Sequence, residues 1–312
     1  MNNKVKGYLL GAVAAASYGT NPLFALPLYA EGFSPDSVLF FRYLFALPIL
    51  AFMLKWRGHS FRITRADLVP LVILGLIFAL SSLSLFQSYN YMDAGIASTI
   101  LFVYPIMVAV IMAMFFHEKL TIQTMLCLLM AIGGIGLLYQ NEDGATLSFV
   151  GTMIVFLSSL SYAIYIVAIN KTRLHDMVTL KVTFYVVLFG WFLFAGRTLI
   201  SGELQVPQST DWWLWGNLIA LAVMPTAISL LCTTGAIQYI GSTPTAILGA
   251  LEPVTAVNFG ITVFGEQLTM RSTLGLILII VAVTIVVAGG GITKHLVRFR
   301  KLFPRIIKKV KK

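Results

Sequence analysis

The chain has 312 residues, 58% of them hydrophobic and only 11% charged, with a formal net charge of +10. Soluble domains carry roughly 25% charged residues, so this composition excludes an ordinary soluble enzyme and places the chain in a bilayer. Two cysteines exclude a disulfide scaffold.

A hydrocarbon core about 30 Å thick takes roughly 20 apolar residues of helix to cross. Apolar runs of that length predict ten spans, at 7–29, 34–54, 68–91, 94–115, 121–139, 147–169, 177–200, 212–238, 242–264 and 271–291. The first run follows Lys4 and Lys6 as a signal peptide would, but the nine spans behind it favour a retained helix.

Basic residues orient the spans, because short cytoplasmic loops are enriched in them. With the N-terminus inside, 19 of the 22 basic residues fall inside: Lys4 and Lys6, the loops holding Lys55 to Arg65, Lys119, and Lys171 to Lys181, and nine in the tail. Arg197 and Arg271 fall outside, where the turns carry Glu31, Asp36, Asp93, Glu142, Asp143, Glu203 and Asp211. The expected fold is all-α integral membrane, with ten transmembrane helices and both termini cytoplasmic. The basic balance follows from this topology, so no nucleic-acid partner is needed to explain it. The tail, 294–312, is expected to sit on anionic lipid headgroups or to anchor the topology by its charge. Trp212, Trp213 and Trp215 read as an aromatic belt where span 8 begins.

The chain also repeats itself. A shift of 148 with no gap sets 91–121 over 239–269 and aligns Tyr91 with Tyr239, Pro105 with Pro253, Glu118 with Glu266 and Thr121 with Thr269. A weaker match at 144 pairs Gly7, Ser17 and Tyr18 with Gly151, Ser161 and Tyr162. The unit is five spans, an odd number, so the halves have opposite orientation. Expected boundaries are 1–143 for the first half, 144–293 for the second and 294–312 for the tail. A 5+5 inverted repeat suits alternating access around a site at the midplane.

"FFRYLFALPIL" around Arg42, Tyr104-Pro105, Leu251-Glu252-Pro253 and "GEQLT" at Gly265 to Thr269, taken in that order along the whole chain, resemble the EamA-type members of the drug/metabolite transporter superfamily. The resemblance implies a carrier in the cytoplasmic (inner) membrane, often an exporter of amino acids or other small metabolites. It also implies a cavity lined mainly by spans 1, 3, 4, 6, 8 and 9, and leaves the substrate open.

Glu252 is the candidate at the centre of that cavity. It lies near the middle of span 9, where a charged carboxylate costs about 2.5–3.5 kcal/mol on insertion scales, so it must face protein or water. Pro253 beside it lacks an N–H and should kink the helix, as Pro105 should beside Tyr104. Thr255 shares the Glu252 face, together with Thr245, Leu248 and Phe259. Tyr18 and Asn21 share a face of span 1, and Gln87, Asn90 and Tyr91 a face of span 3. Spans 6 and 8 add Ser158, Tyr162 and Tyr165, and Thr226, Ser229 and Thr233. Buried hydroxyls and amides also serve as interhelical hydrogen bonds, the competing role for each. Three roles stay open for Glu252: binding a substrate ammonium, carrying a coupling proton, or holding the kink. Arg42 is the other intramembrane charge, open to pairing with Glu252, to a substrate carboxylate, or to snorkelling.

No further chemistry is expected. The four histidines are isolated and no GxxxxGK[ST] segment is present, so neither a metal site nor ATP hydrolysis is predicted, and no cofactor. An intramembrane enzyme would want two convergent acid, base or metal groups, and a channel a lining ring or filter. The reading is a secondary transporter and not an enzyme, with a small-molecule substrate, proton or exchange coupling open, and the oligomeric state undetermined.

Overall fold

The computed structural model describes residues 3–116, 122–138, 148–240, 248–249 and 251–285. The described residues are helical almost throughout. Span 1 is two helices, α1 (Asn3–Tyr18) and α2 (Asn21–Ala30); span 2 is α3 (Pro35–Trp56) and span 3 is α4 (Arg65–Ser88). Span 4 is again two, α5 (Ala94–Leu101) and α6 (Tyr104–Phe116), followed by α7 (Ile122–Leu138), α8 (Phe149–Lys171) and α9 (Thr179–Ser201). Span 8 runs as α10 (Trp212–Ala222), a π-helical turn (Val223–Ile228) and α11 (Ser229–Ile240), then come α12 (Leu251–Phe264) and α13 (Met270–Ile285). Each sequence-predicted span overlaps one of these segments. Among the described residues, seven segments are long and apolar enough to cross a membrane, and Met125–Leu137, Leu251–Phe264 and Met270–Ile285 are shorter apolar helices.

The bundle is apolar outside as well as inside. Ile200 is 89% exposed, Leu199 82%, Ile122 78% and Trp212 80%; in water such a surface would aggregate, whereas hydrocarbon solvates it. Close helix approach comes from small residues, as expected where lipid and core are equally apolar. Gly75 of α4 meets Gly190 of α9 so tightly that a Cβ at position 75 would lie 3.3 Å from the Gly190 nitrogen. Arg197 is neutralised by Asp36, with Nε 2.6 Å from Oδ1 and Nη2 3.0 Å from Oδ2.

The internal repeat reappears as paired contacts. A Cβ on Gly7 would lie 2.7 Å from Tyr239 Cβ and 2.6 Å from Ile240 Cγ2; one on Gly151 would lie 2.8 Å from both Tyr91 Cβ and Met92 Cε. Gly7 with Gly151, and Tyr239 with Tyr91, are the pairs that the two sequence shifts align. Glu118, Thr121, Glu142, Asp143, Thr245 and the basic tail lie outside the described residues.

Four prolines shape the interior, and each lost helix bond is replaced. Proline removes the N–H that would bond the carbonyl four residues back. For Pro22 that carbonyl is Tyr18 O, which accepts instead from Asn21 Nδ2 at 2.8 Å. For Pro105 it is Leu101 O, which accepts from the Ser159 hydroxyl at 3.0 Å. For Pro225 it is Leu221 O, which accepts from the Thr226 hydroxyl at 3.1 Å, and the chain widens into the π turn. For Pro253 it is Gly249 O, which accepts from the Glu252 N–H at 2.9 Å. Broken helix is tolerated in a membrane only where such partners exist, and here every break faces the same interior.

Candidate functional site

A cavity of about 360 Å³ occupies that interior. Its wall holds two side chains of opposite charge, Arg42 and Glu252. Arg42 is buried at 6% exposure, its Nε donates to Thr226 Oγ1 at 3.3 Å, and its guanidinium lies 5.2 Å from the centre of the Phe86 ring. The Thr226 hydroxyl can accept from Arg42 because its own proton goes to the carbonyl that Pro225 frees. The π turn therefore fixes the arginine. Glu252 comes from α12, immediately before Pro253 and in the first turn, where backbone N–H groups point along the helix axis. Tyr18 shares the wall with both charges.

Aromatic rings complete the wall. Tyr104 and Tyr162 meet edge to face at 4.6 Å, and Tyr162 stacks on Tyr165 at 5.9 Å. Tyr43 Oη and Ser82 Oγ are 2.8 Å apart beside them. The lining runs from Glu252 along Tyr165 to Thr183 and Gly11, toward the end of the bundle that carries Asn3. At the other end the cavity is shut by α5 against α12. A Cβ on Gly95 would come within 3.0 Å of Val257 Cα, and Glu266 Oε1 accepts the Ala94 N–H at 3.0 Å. Gly265, at φ +69°, turns the chain back so that Glu266 reaches this position.

The model of the EamA-like transporter family matches residues 5–140 and again 149–288. The chain belongs to this family of membrane transporters. An uncharacterized transporter of Archaeoglobus fulgidus is 28% identical over 250 residues, covering 80% of this transporter and 85% of its own chain. One of Synechocystis sp. is 29% identical over 241 residues, covering 68% and 70%, and YcbK of Bacillus subtilis, also named an uncharacterized transporter, is 24% identical over 275, covering 86% and 87%. A solved crystal structure shares the fold at a TM-score of 0.67, with 16% identity over 93% of this transporter and 98% of that chain.

Of the residues singled out in the transporter's sequence, Tyr18, Arg42, Tyr104, Tyr162, Tyr165, Thr233 and Glu252 face one cavity, with Thr226 and Ser229. Pro105 and Pro253 stand at the breaks beside it. Asn21 opens onto a smaller chamber next door. Thr255 returns its hydroxyl to Leu251 O at 2.7 Å and packs on Gly19. Ser158 makes an interhelical clamp, giving to Ser81 O at 2.7 Å while its own carbonyl takes from Ser81 Oγ at 3.0 Å. Gln87, Asn90 and Tyr91 do not line the cavity; Asn90 and Tyr91 lie beyond Ser88, where α4 ends and the helical spacing that grouped the three stops. Spans 2 and 7, absent from the expected lining, contribute Arg42, Tyr43 and Thr183. The signal for span 2 was Arg42 itself, since an intramembrane charge marks function by default.

Proposed function

We propose that this transporter is a secondary active carrier of a small zwitterionic amino acid, exporting it across the cytoplasmic membrane by alternating access. The observation that carries the reading is the pair of unlike charges, Arg42 and Glu252, set on different helices of one cavity. A free α-amino acid presents a carboxylate and an ammonium, and the two wall charges match them. Burying either charge alone is costly in a membrane, and a zwitterion between them neutralises both. The tyrosines offer ring faces to the ammonium and to an apolar side chain.

The architecture proposed is ten spans in a 5+5 inverted repeat, with 1–143 and 144–293 as the two halves and the N-terminus cytoplasmic. In that orientation the lining that runs to Thr183 and Gly11 opens inward, and the α5–α12 closure, with Glu266, seals the outer side. Exchange between the two closures moves the cavity from one face to the other. The basic tail is proposed to hold anionic lipid. The competing substrate is an amine without a carboxylate, favoured by the ring-lined wall around Glu252; Arg42 would then serve packing alone.

The test is release from proteoliposomes loaded with mixed amino acids, amines and carboxylic acids, read by mass spectrometry for wild type and Glu252→Gln. Selective release of one amino acid class by wild type, lost in the variant, is expected. Release of amines alone would replace the substrate class, and undiminished release by the variant would remove Glu252 from it.

A further inference from the structure

Beside the main cavity, on the side toward α5, lies a second chamber of about 10 Å³, walled by Glu252, Asn21, Tyr18, Tyr89 and Ser98. A space of that size holds one water-sized group and nothing larger. Its polar wall is incomplete. Asn21, 2% exposed, commits Nδ2 to Tyr18 O at 2.8 Å, which fixes the amide so that Oδ1 is left without a partner. Tyr89 Oη interacts with the Ser98 side chain but has no partner that meets hydrogen-bond geometry. These are two of the four buried side-chain polar atoms without a partner among the described residues. Buried polar atoms are nearly always satisfied, so two oxygens without a protein partner, on residues that wall one small space, mark a place for a small polar guest, and the Glu252 carboxylate in the same wall favours a cation.

We infer that this chamber is a coupling-ion site that binds one small monovalent cation, a sodium ion or a hydronium, on the oxygens of Glu252, Asn21, Tyr89 and Ser98. One carboxylate balances a single positive charge; a divalent ion would leave net charge buried. Among the described residues no three His, Cys, Asp or Glu side chains gather as a transition metal would want. Helix ends meeting at a midplane break are where transporters hold such ions, and here the α1–α2 break supplies Asn21. The titratable or charged groups that share a wall with Glu252 are Tyr18 of α1, Arg42 and Tyr43 of α3, Tyr104 of α6, Tyr162 and Tyr165 of α8, and Tyr89 at the end of α4, while Glu266 accepts the Ala94 N–H of α5.

The inference rests in part on the amino-acid reading, because Glu252 lines both cavities. One carboxylate cannot neutralise a chamber cation and a substrate ammonium together, so the two compete and the carrier exchanges one for the other.

The test reads the melting temperature of the purified full chain without substrate, in sodium, lithium, potassium or N-methylglucamine chloride at fixed ionic strength, from pH 5.5 to 8.5. A bound ion raises the melting temperature with its concentration. Sodium or lithium raising it above the other two assigns the metal ion; a rise only on acidification, kept in Glu266→Gln, lost in Glu252→Gln and weakened in Tyr89→Phe assigns hydronium, whereas one that Tyr89→Phe leaves unchanged is protonation of the Glu252 carboxyl alone and overturns the site. In either case Tyr89→Phe should shift the midpoint about tenfold to weaker binding, the loss of one oxygen ligand to a charged group, and Asn21→Leu should abolish it. Should Asn21→Leu not fold, Tyr89→Phe and Ser98→Ala decide. No cation or acid increment in wild type, or an increment unchanged in Tyr89→Phe, overturns the site. A cation increment that amino acids fail to weaken keeps the chamber and refutes the amino-acid reading instead.

Discussion

Replacing Arg42 separates a recognition role from a packing role. Arg42 is held by the Thr226 hydroxyl at 3.3 Å and by the Phe86 ring at 5.2 Å. With Nε so engaged, a substrate carboxylate would be met by the terminal nitrogens. Charge-assisted hydrogen bonds are worth about 1.5–3 kcal/mol, so Arg42→Leu should weaken an amino acid by roughly 10- to 150-fold at 1.4 kcal/mol per tenfold. Arg42→Lys keeps the charge but loses the planar fork and the stack on Phe86, and should fall between the two. The assay is counterflow of the labelled amino acid competed by the same amino acid and by its decarboxylated amine. The amine never met Arg42, so its inhibition constant should be unchanged in both variants while that of the amino acid rises. Equal weakening of both competitors, in protein that elutes as folded, would refute the recognition role.

Other consequences follow from the packing and the charges. A Cβ at Gly19 would lie 2.5 Å from the Glu252 carbonyl oxygen and 2.6 Å from Thr255 Cβ, so Gly19→Ala should lower the melting temperature and transport; overpacking costs about 1–3 kcal/mol. Gly216→Ala, with nothing within 4 Å of the added carbon, should do neither. Burial, and then the neighbouring Asp93 carboxylate, push Glu266 up to about 7. The folded protein then holds a proton that the unfolded chain has released, so this group makes stability fall as pH rises from about 4.5 to about 7. Glu266→Gln should make the fall of melting temperature over that window shallower by this group's share, and an unchanged slope would move the cause elsewhere. Cysteine at Asp93 should react with an impermeant label from outside whole cells and cysteine at Arg62 only after lysis; reversed labelling would invert the topology.

The spans were legible because a bilayer forces apolar runs of known length, whereas the breaks were legible only in part. Pro105 and Pro253 sit mid-span and read as kinks. Pro22 stands equally plainly in the sequence, yet the α1–α2 break depends on Asn21 reaching back to Tyr18 O. Pro225 widens its helix into a π turn, with the Thr226 hydroxyl restoring the missing bond. A proline announces a lost hydrogen bond; the local replacement decides the shape. The same limit applies to the cavity. Periodicity groups residues by face but not by depth, so Tyr18, Tyr162 and Glu252 could be grouped while Asn90 and Tyr91, beyond the end of α4, could not be rejected. Arg42 was visible as a charge, but its direction is set by Thr226 and Phe86, 184 and 44 residues away along the chain.

The measurement that bears most directly on an alternating-access carrier is counterflow in sealed proteoliposomes. They are loaded with unlabelled amino acid at high concentration and diluted into a trace of the same compound, labelled. A carrier whose cavity opens to one side at a time should concentrate label inside transiently above its outside level, saturate with substrate, and lose the overshoot in Glu252→Gln. Label that rises only to equality, without overshoot or saturation, would mean a pore open to both sides and would contradict the account.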